Sequence, residues 1–96
     1  MKLYQISSCG HDECDGYLWN NLTKPTTSYD KALEGYESAK KSALNGARED
    51  LCLEDGESIE DHVTINEADH TCRIRYNRNG SIQVRQIALH VWDMEL

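Results

Sequence analysis

Apolar and polar positions change period twice along the chain, and each change marks an element. Residues 2–7 alternate weakly among good strand formers, which predicts a short first strand. Ser7 to Gly16 is polar and holds two glycines, two cysteines and three acids, the composition of a loop. Tyr17-Leu18-Trp19 restores strand propensity, and Asn20-Asn21 with Lys24-Pro25 ends it. From Tyr29 the period becomes helical, with apolar groups at Tyr29, Ala32, Leu33, Tyr36, Ala39, Ala43, Leu44, Ala47 and Leu51, in steps of three and four. Thr27 or Ser28 can cap this helix, and Asp30 complements its dipole. Gly35 and Asn45-Gly46 are its weak points, so a kink or stop at Asn45 is expected, with a second short helix through Leu53.

The last third has a period of two. Val63 and Ile65 alternate with polar neighbours, as do Cys72, Ile74 and Tyr76. Asn79-Gly80 is a strong hairpin signal because both residues accept positive φ. Beyond it the apolar parity moves from Ile82 and Val84 to Ile87, Leu89 and Val91, which predicts a bulge near Arg85-Gln86. The order is ββαβββ. It describes a single α+β domain over residues 1–96, an antiparallel sheet of about 4–5 strands with one long amphipathic helix on one face. The expected core sets Tyr29, Leu33, Tyr36, Ala43 and Leu44 against Ile65, Ile74, Val84, Leu89 and Val91.

Composition narrows the chemistry. There is no Phe, so five Tyr, two Trp and the aliphatic residues carry the packing. The net charge of -7 opposes direct binding to nucleic acid or to an anionic membrane, and favours a basic partner. The charge is also polarised. Residues 49–69 hold nine acids and no Lys or Arg, whereas residues 70–92 hold Arg73, Arg75, Arg78 and Arg85 and no acid. Two electrostatically distinct faces follow. No run reaches the roughly 18 apolar residues of a membrane span, and the N-terminal residues lack the apolar core of a signal peptide. A cytoplasmic protein beginning at Met1, with its four cysteines as thiols, is expected.

Four groups of residues are candidates for function. Cys9, His11 and Cys14 offer thiolate and imidazole to zinc, with Cys52 or the His70–Cys72 segment as a fourth ligand. The spacing lacks a second ligand pair, and incidental cysteines in a surface loop explain it as well. No bound metal or cofactor is therefore expected. A cysteine nucleophile beside His11 is the one sequence-local catalytic pair. No nucleophile elbow, P-loop or dinucleotide fingerprint accompanies it, so the expectation is not an enzyme. The acids Glu49, Asp50, Glu54, Asp55, Glu57, Glu60 and Asp61, with Asp12, Glu13 and Asp15, either form a solvated linker or present carboxylates that mimic phosphates to a basic channel. They lack the ligand pattern of an EF-hand. Arg73, Arg75 and Arg85 on the last hairpin either grip RNA or pair with acids across the sheet.

The outline has a familiar layout. An extended Met1-Lys2-Leu3-Tyr4-Gln5-Ile6 precedes an alanine-rich helix (Ala32, Ala39, Ala43, Ala47), and the chain closes on His90-Val91-Trp92-Asp93-Met94-Glu95-Leu96. This resembles small phage-encoded inhibitors of bacterial defence, including some anti-CRISPR proteins. The resemblance is one of layout and transfers no residue role. It implies stoichiometric, non-catalytic binding to a bacterial protein or protein–nucleic acid complex, often at its nucleic-acid surface. The expected function is accordingly an acidic interaction protein that inhibits such a complex. A small zinc-binding domain or an RNA-binding module on the arginine hairpin are the alternatives.

Overall fold

The computed structural model describes residues 1–13, 16–54 and 56–93, with the backbone alone at 17–19. Five strands, β1 (Lys2–Asp12), β2 (Gly16–Leu22), β3 (Val63–Ala68), β4 (Thr71–Arg78) and β5 (Ser81–Asp93), form one antiparallel sheet in the order β2-β1-β5-β4-β3. The single helix, α1 (Tyr29–Asp50), connects the β1–β2 hairpin to the β3–β4–β5 meander and covers one side of the sheet. A 3₁₀ turn, Ile59–Asp61, leads into β3. This is the expected α+β fold with the expected element order. The long central strands draw it out to 50 × 30 × 20 Å, with a radius of gyration of 14.8 Å. A compact domain of this length has about 12.5 Å.

Ser28 caps α1 by accepting a hydrogen bond from the Lys31 N–H at 3.2 Å. The helix does not kink at Asn45-Gly46. It runs unbroken to Asp50, and Cys52 takes the left-handed conformation (φ 55°) that ends it. The Cys52 N–H then donates to Glu49 O and the Leu53 N–H to Arg48 O, the paired bonds of a Schellman motif. Asn79 and Gly80 both have positive φ in a two-residue turn between Arg78 and Ser81, as their sequence predicts.

Two expectations about strands are corrected. The segment from Ser7 is not a loop: β1 continues to Asp12, because it is paired on both sides, with β2 and with β5. Nor does β5 bulge at Arg85-Gln86; its pairing with β1 and β4 is regular throughout. The parity change has another cause. Leu89, Ile87, Arg85 and Gln83 all face the helix, so that side turns from apolar to polar along the strand, while Val84 faces away. Val84 is still only 1% exposed. Its neighbours in register are His11 and Arg75, and the Arg75 guanidinium reaches across β5 to Glu13 with bonds of 3.0 and 3.3 Å.

The core sits between α1 and the sheet. Ala32, Tyr36, Ala43 and Ala47 meet Ile6, Cys72, Ile74, Tyr76, Ile87 and Leu89, with Leu44 and Ile65 at the margin. Tyr29, Leu33 and Val91 are exposed, against expectation. The alanine stripe is the one that faces inward, since short side chains let the helix approach a sheet surface built from large ones. Among the described residues no helix is long and apolar enough to cross a membrane.

Candidate functional site

Polar groups gather where the helix-covered side of the sheet loses its apolar character, under the C-terminal turns of α1. Asp50 accepts a hydrogen bond from the Tyr76 hydroxyl at 2.6 Å and another from Arg78 Nη1 at 2.8 Å. Arg85 Nε donates to the same hydroxyl at 3.1 Å. Gln83 donates to Asp12 at 2.6 Å, in a contact that is buried. Burial by itself would raise the Asp50 carboxyl. The bonds from Tyr76 and Arg78, with the charges of Arg78 and Arg85, outweigh it and hold Asp50 below its ordinary value. Burial and the hydrogen bond to Asp50 push the Tyr76 phenol up.

Gly46 is what admits Arg85 to this arrangement. A Cβ on Gly46 would lie 2.5 Å from Arg85 Nη1 and 2.9 Å from Cζ, so the guanidinium lies against bare helix backbone. Two cavities adjoin it. One, of about 200 Å³, is lined by Asp50, Tyr76, Arg78, Gln83 and Arg85 among others. The other, of about 310 Å³, opens between α1, β1 and the end of β2.

The candidate acids separate into two sets. Asp12 is 4% exposed and belongs to the interior, which removes it from any partner surface. Asp50 is tied into the polar cluster, and Glu13 is held by Arg75, whose hydrogen bond and charge lower its pKa. Glu49, Glu54, Glu57, Glu60 and Asp61 are exposed. Of these, Glu57 approaches His62 at 3.5 Å. The carboxylates of Glu49, Glu54, Glu60 and Asp61 make no hydrogen bond or ion pair with described residues. Arg48, in the last turn of α1, donates to the carbonyls of Glu54 and Glu57, so the acidic segment is fastened back onto the helix. Asp15 and Asp55 lie outside the described residues.

The metal candidates are not brought together, although Cys9 and His11 share one face of β1. Cys9 and His11 face the side of the sheet away from the helix, whereas Cys72 is buried on the helix side and Cys52 follows α1. Burial raises the Cys72 thiol pKa. Cys9, Cys52 and Cys72 are free thiols, and Cys14 lies outside the described residues. Among the described residues no three His, Cys, Asp or Glu are grouped to hold a metal. Of the hairpin arginines, Arg75 engages Glu13 and Arg85 points to the helix side, which leaves Arg73 exposed and breaks up the expected stripe.

Sequence reasoning missed Tyr76, Gln83 and Gly46 as parts of the polar cluster. The available signal was a helical period that outlasts Asn45-Gly46, together with Arg and Gln at inward positions of β5. No family model, curated protein or solved structure matches the chain.

Proposed function

We propose that this protein is a non-enzymatic, acidic interaction protein that binds a basic surface of a nucleic-acid-handling complex. The observation that carries this is the exposed acidic segment of residues 49–61, in which Glu49, Glu54, Glu60 and Asp61 have no partner among the described residues while Arg48 fastens the segment to α1. Three of the ten Lys and Arg side chains are engaged internally with described acids. Arg75 pairs with Glu13, Arg78 with Asp50, and Lys40 with Glu37 and Glu67. The negative charge is concentrated along the chain, since nine of the 17 acids lie in residues 49–69 with no Lys or Arg among them. Carboxylates held by a rigid support repel nucleic acid and attract the cationic grooves that normally hold it, with association accelerated at low salt.

The narrower reading is a phage or mobile-element inhibitor of a CRISPR or other bacterial defence complex, acting in the host cytoplasm. It rests on the layout resemblance. Affinity capture from a bacterial lysate at low salt, with wild type and a Glu49→Gln, Glu54→Gln, Glu60→Gln, Asp61→Asn variant as baits, tests both levels. A nuclease or surveillance complex with a basic surface, retained by wild type and lost from the variant, supports the proposal. Recovery of RNA that both baits retain assigns binding to the arginine hairpin instead.

A further inference from the structure

The cavity of about 310 Å³ falls at the low end of the roughly 300–1,000 Å³ typical of small-molecule sites. Its floor is Ile6 and Ala43, and its walls carry Ser8, Asn21, Ser42 and Arg85. The chain has 17 acidic residues, yet none is among the described residues lining this space. A cavity with one guanidinium, the hydroxyls of Ser8, Thr23 and Ser42 and one amide, and no carboxylate among its described lining, suits an anion.

Asn21 and Ser42 are exposed and Ser8 is half-buried, and none of the three side chains makes a hydrogen bond with described residues, so their polar groups are open to solvent or to a ligand. Two features favour a ligand over a packing defect. Arg85 is oriented from behind by the bond from Nε to Tyr76 at 3.1 Å, and a guanidinium is a planar fork of five donors suited to oxyanions. Gly46 lets that fork lie flat against the helix, where any Cβ would displace it.

We propose that this cavity binds a small molecule through an oxyanion, phosphate or carboxylate, with Arg85 as the cation and Ser8, Asn21 and Ser42 as neutral hydrogen-bonding partners. None of the acids of the proposed partner surface lines the cavity, so either proposal can fail without the other.

The test is an NMR titration of ¹⁵N-labelled protein, at constant ionic strength, with inorganic phosphate, phenyl phosphate, acetate and benzoate. The expected result is saturable shifts at Ser8, Asn21, Ser42 and Arg85 Nε in the phosphate arm, the carboxylate arm or both. The responding arm identifies the oxyanion. Ser42→Leu introduces a good helix former at an exposed position and fills the cavity, and Asn21→Leu does the same from the strand. Each should weaken binding at least about tenfold with the fold intact, and Arg85→Lys, which keeps the charge but loses the fork, should weaken it by a similar factor. Linear, non-saturating shifts with all four probes would overturn the proposal. Saturation at other residues, or unchanged affinity in whichever filled variant folds, would do so equally.

Discussion

Glycine in the middle of a helix ordinarily costs roughly 1 kcal/mol relative to alanine, so Gly46→Ala should stabilise α1 if propensity were all that mattered. The structure reverses the sign. The new methyl carbon would sit 2.5 Å from Arg85 Nη1, 2.9 Å from Cζ and 3.2 Å from Nη2. The guanidinium is the mobile end of a long side chain and can move, but moving it gives up the 3.1 Å bond from Nε to the buried Tyr76 hydroxyl. A hydrogen bond to a charged group contributes roughly 1.5–3 kcal/mol, so subtracting the helix gain leaves a net loss of about 0.5–2 kcal/mol. Gly35→Ala supplies the control. Its Cβ would meet Ile6 Cγ1 at 3.6 Å, an ordinary contact, and it should stabilise by about 0.5–1 kcal/mol. Urea denaturation of both variants, and of Gly46→Ala in an Arg85→Ala background, decides the matter. In that background Gly46→Ala should become stabilising. A stabilising Gly46→Ala in the wild-type background would refute the claim that glycine is kept there for Arg85.

Ile74→Ala, at a site that is 0% exposed, should cost about 2–5 kcal/mol, whereas Leu33→Ala, at 38% exposed, should stay within about 0.5 kcal/mol; denaturation midpoints separate them. Asp50 has a folded-state pKa below its unfolded value. Its contribution is thus complete above the unfolded pKa of about 3.9 and is lost as pH falls through the folded value. Asp50→Asn should therefore be less stable at pH 7 and lose stability less steeply on acidification below about pH 4, as thermal melts across that range would show. Cys52→Gly should stabilise by about 0.5–1 kcal/mol, because Cys52 holds a left-handed conformation (φ 55°) that glycine adopts without steric penalty; calorimetry checks it.

Elements specified by local chemistry were legible. Ser28 and Asp30 announce the start of α1, and the alternation of Cys72, Ile74 and Tyr76 before Asn79-Gly80 announces a hairpin. The second half of β1 was not, since Ser7-Ser8-Cys9-Gly10-His11-Asp12 has a loop's composition and becomes a strand through pairing with a segment more than 70 residues away. The parity of β5 misled for a related reason. Hydrophobicity alone turns Val84 toward the helix, yet it is buried on the other side beneath the Glu13–Arg75 pair. The helix offered two overlapping stripes, and periodicity alone did not choose the alanine one over Tyr29 and Leu33. Of the candidate site, the density of exposed acids was readable. The burial of Asp12 and the capture of Asp50 were not, because both depend on partners from β4 and β5.

If the acidic segment attracts a basic partner, stopped-flow association with the captured partner across a salt series will show it. The Glu49→Gln, Glu54→Gln, Glu60→Gln, Asp61→Asn variant keeps the shape of the segment and removes four charges. Electrostatic steering changes on-rates by roughly 10–10³-fold, so the folded variant should associate at least about tenfold more slowly at low salt, with a flattened salt dependence. Unchanged association kinetics and salt dependence would contradict the account and leave residues 49–61 as a solvated connection between α1 and β3.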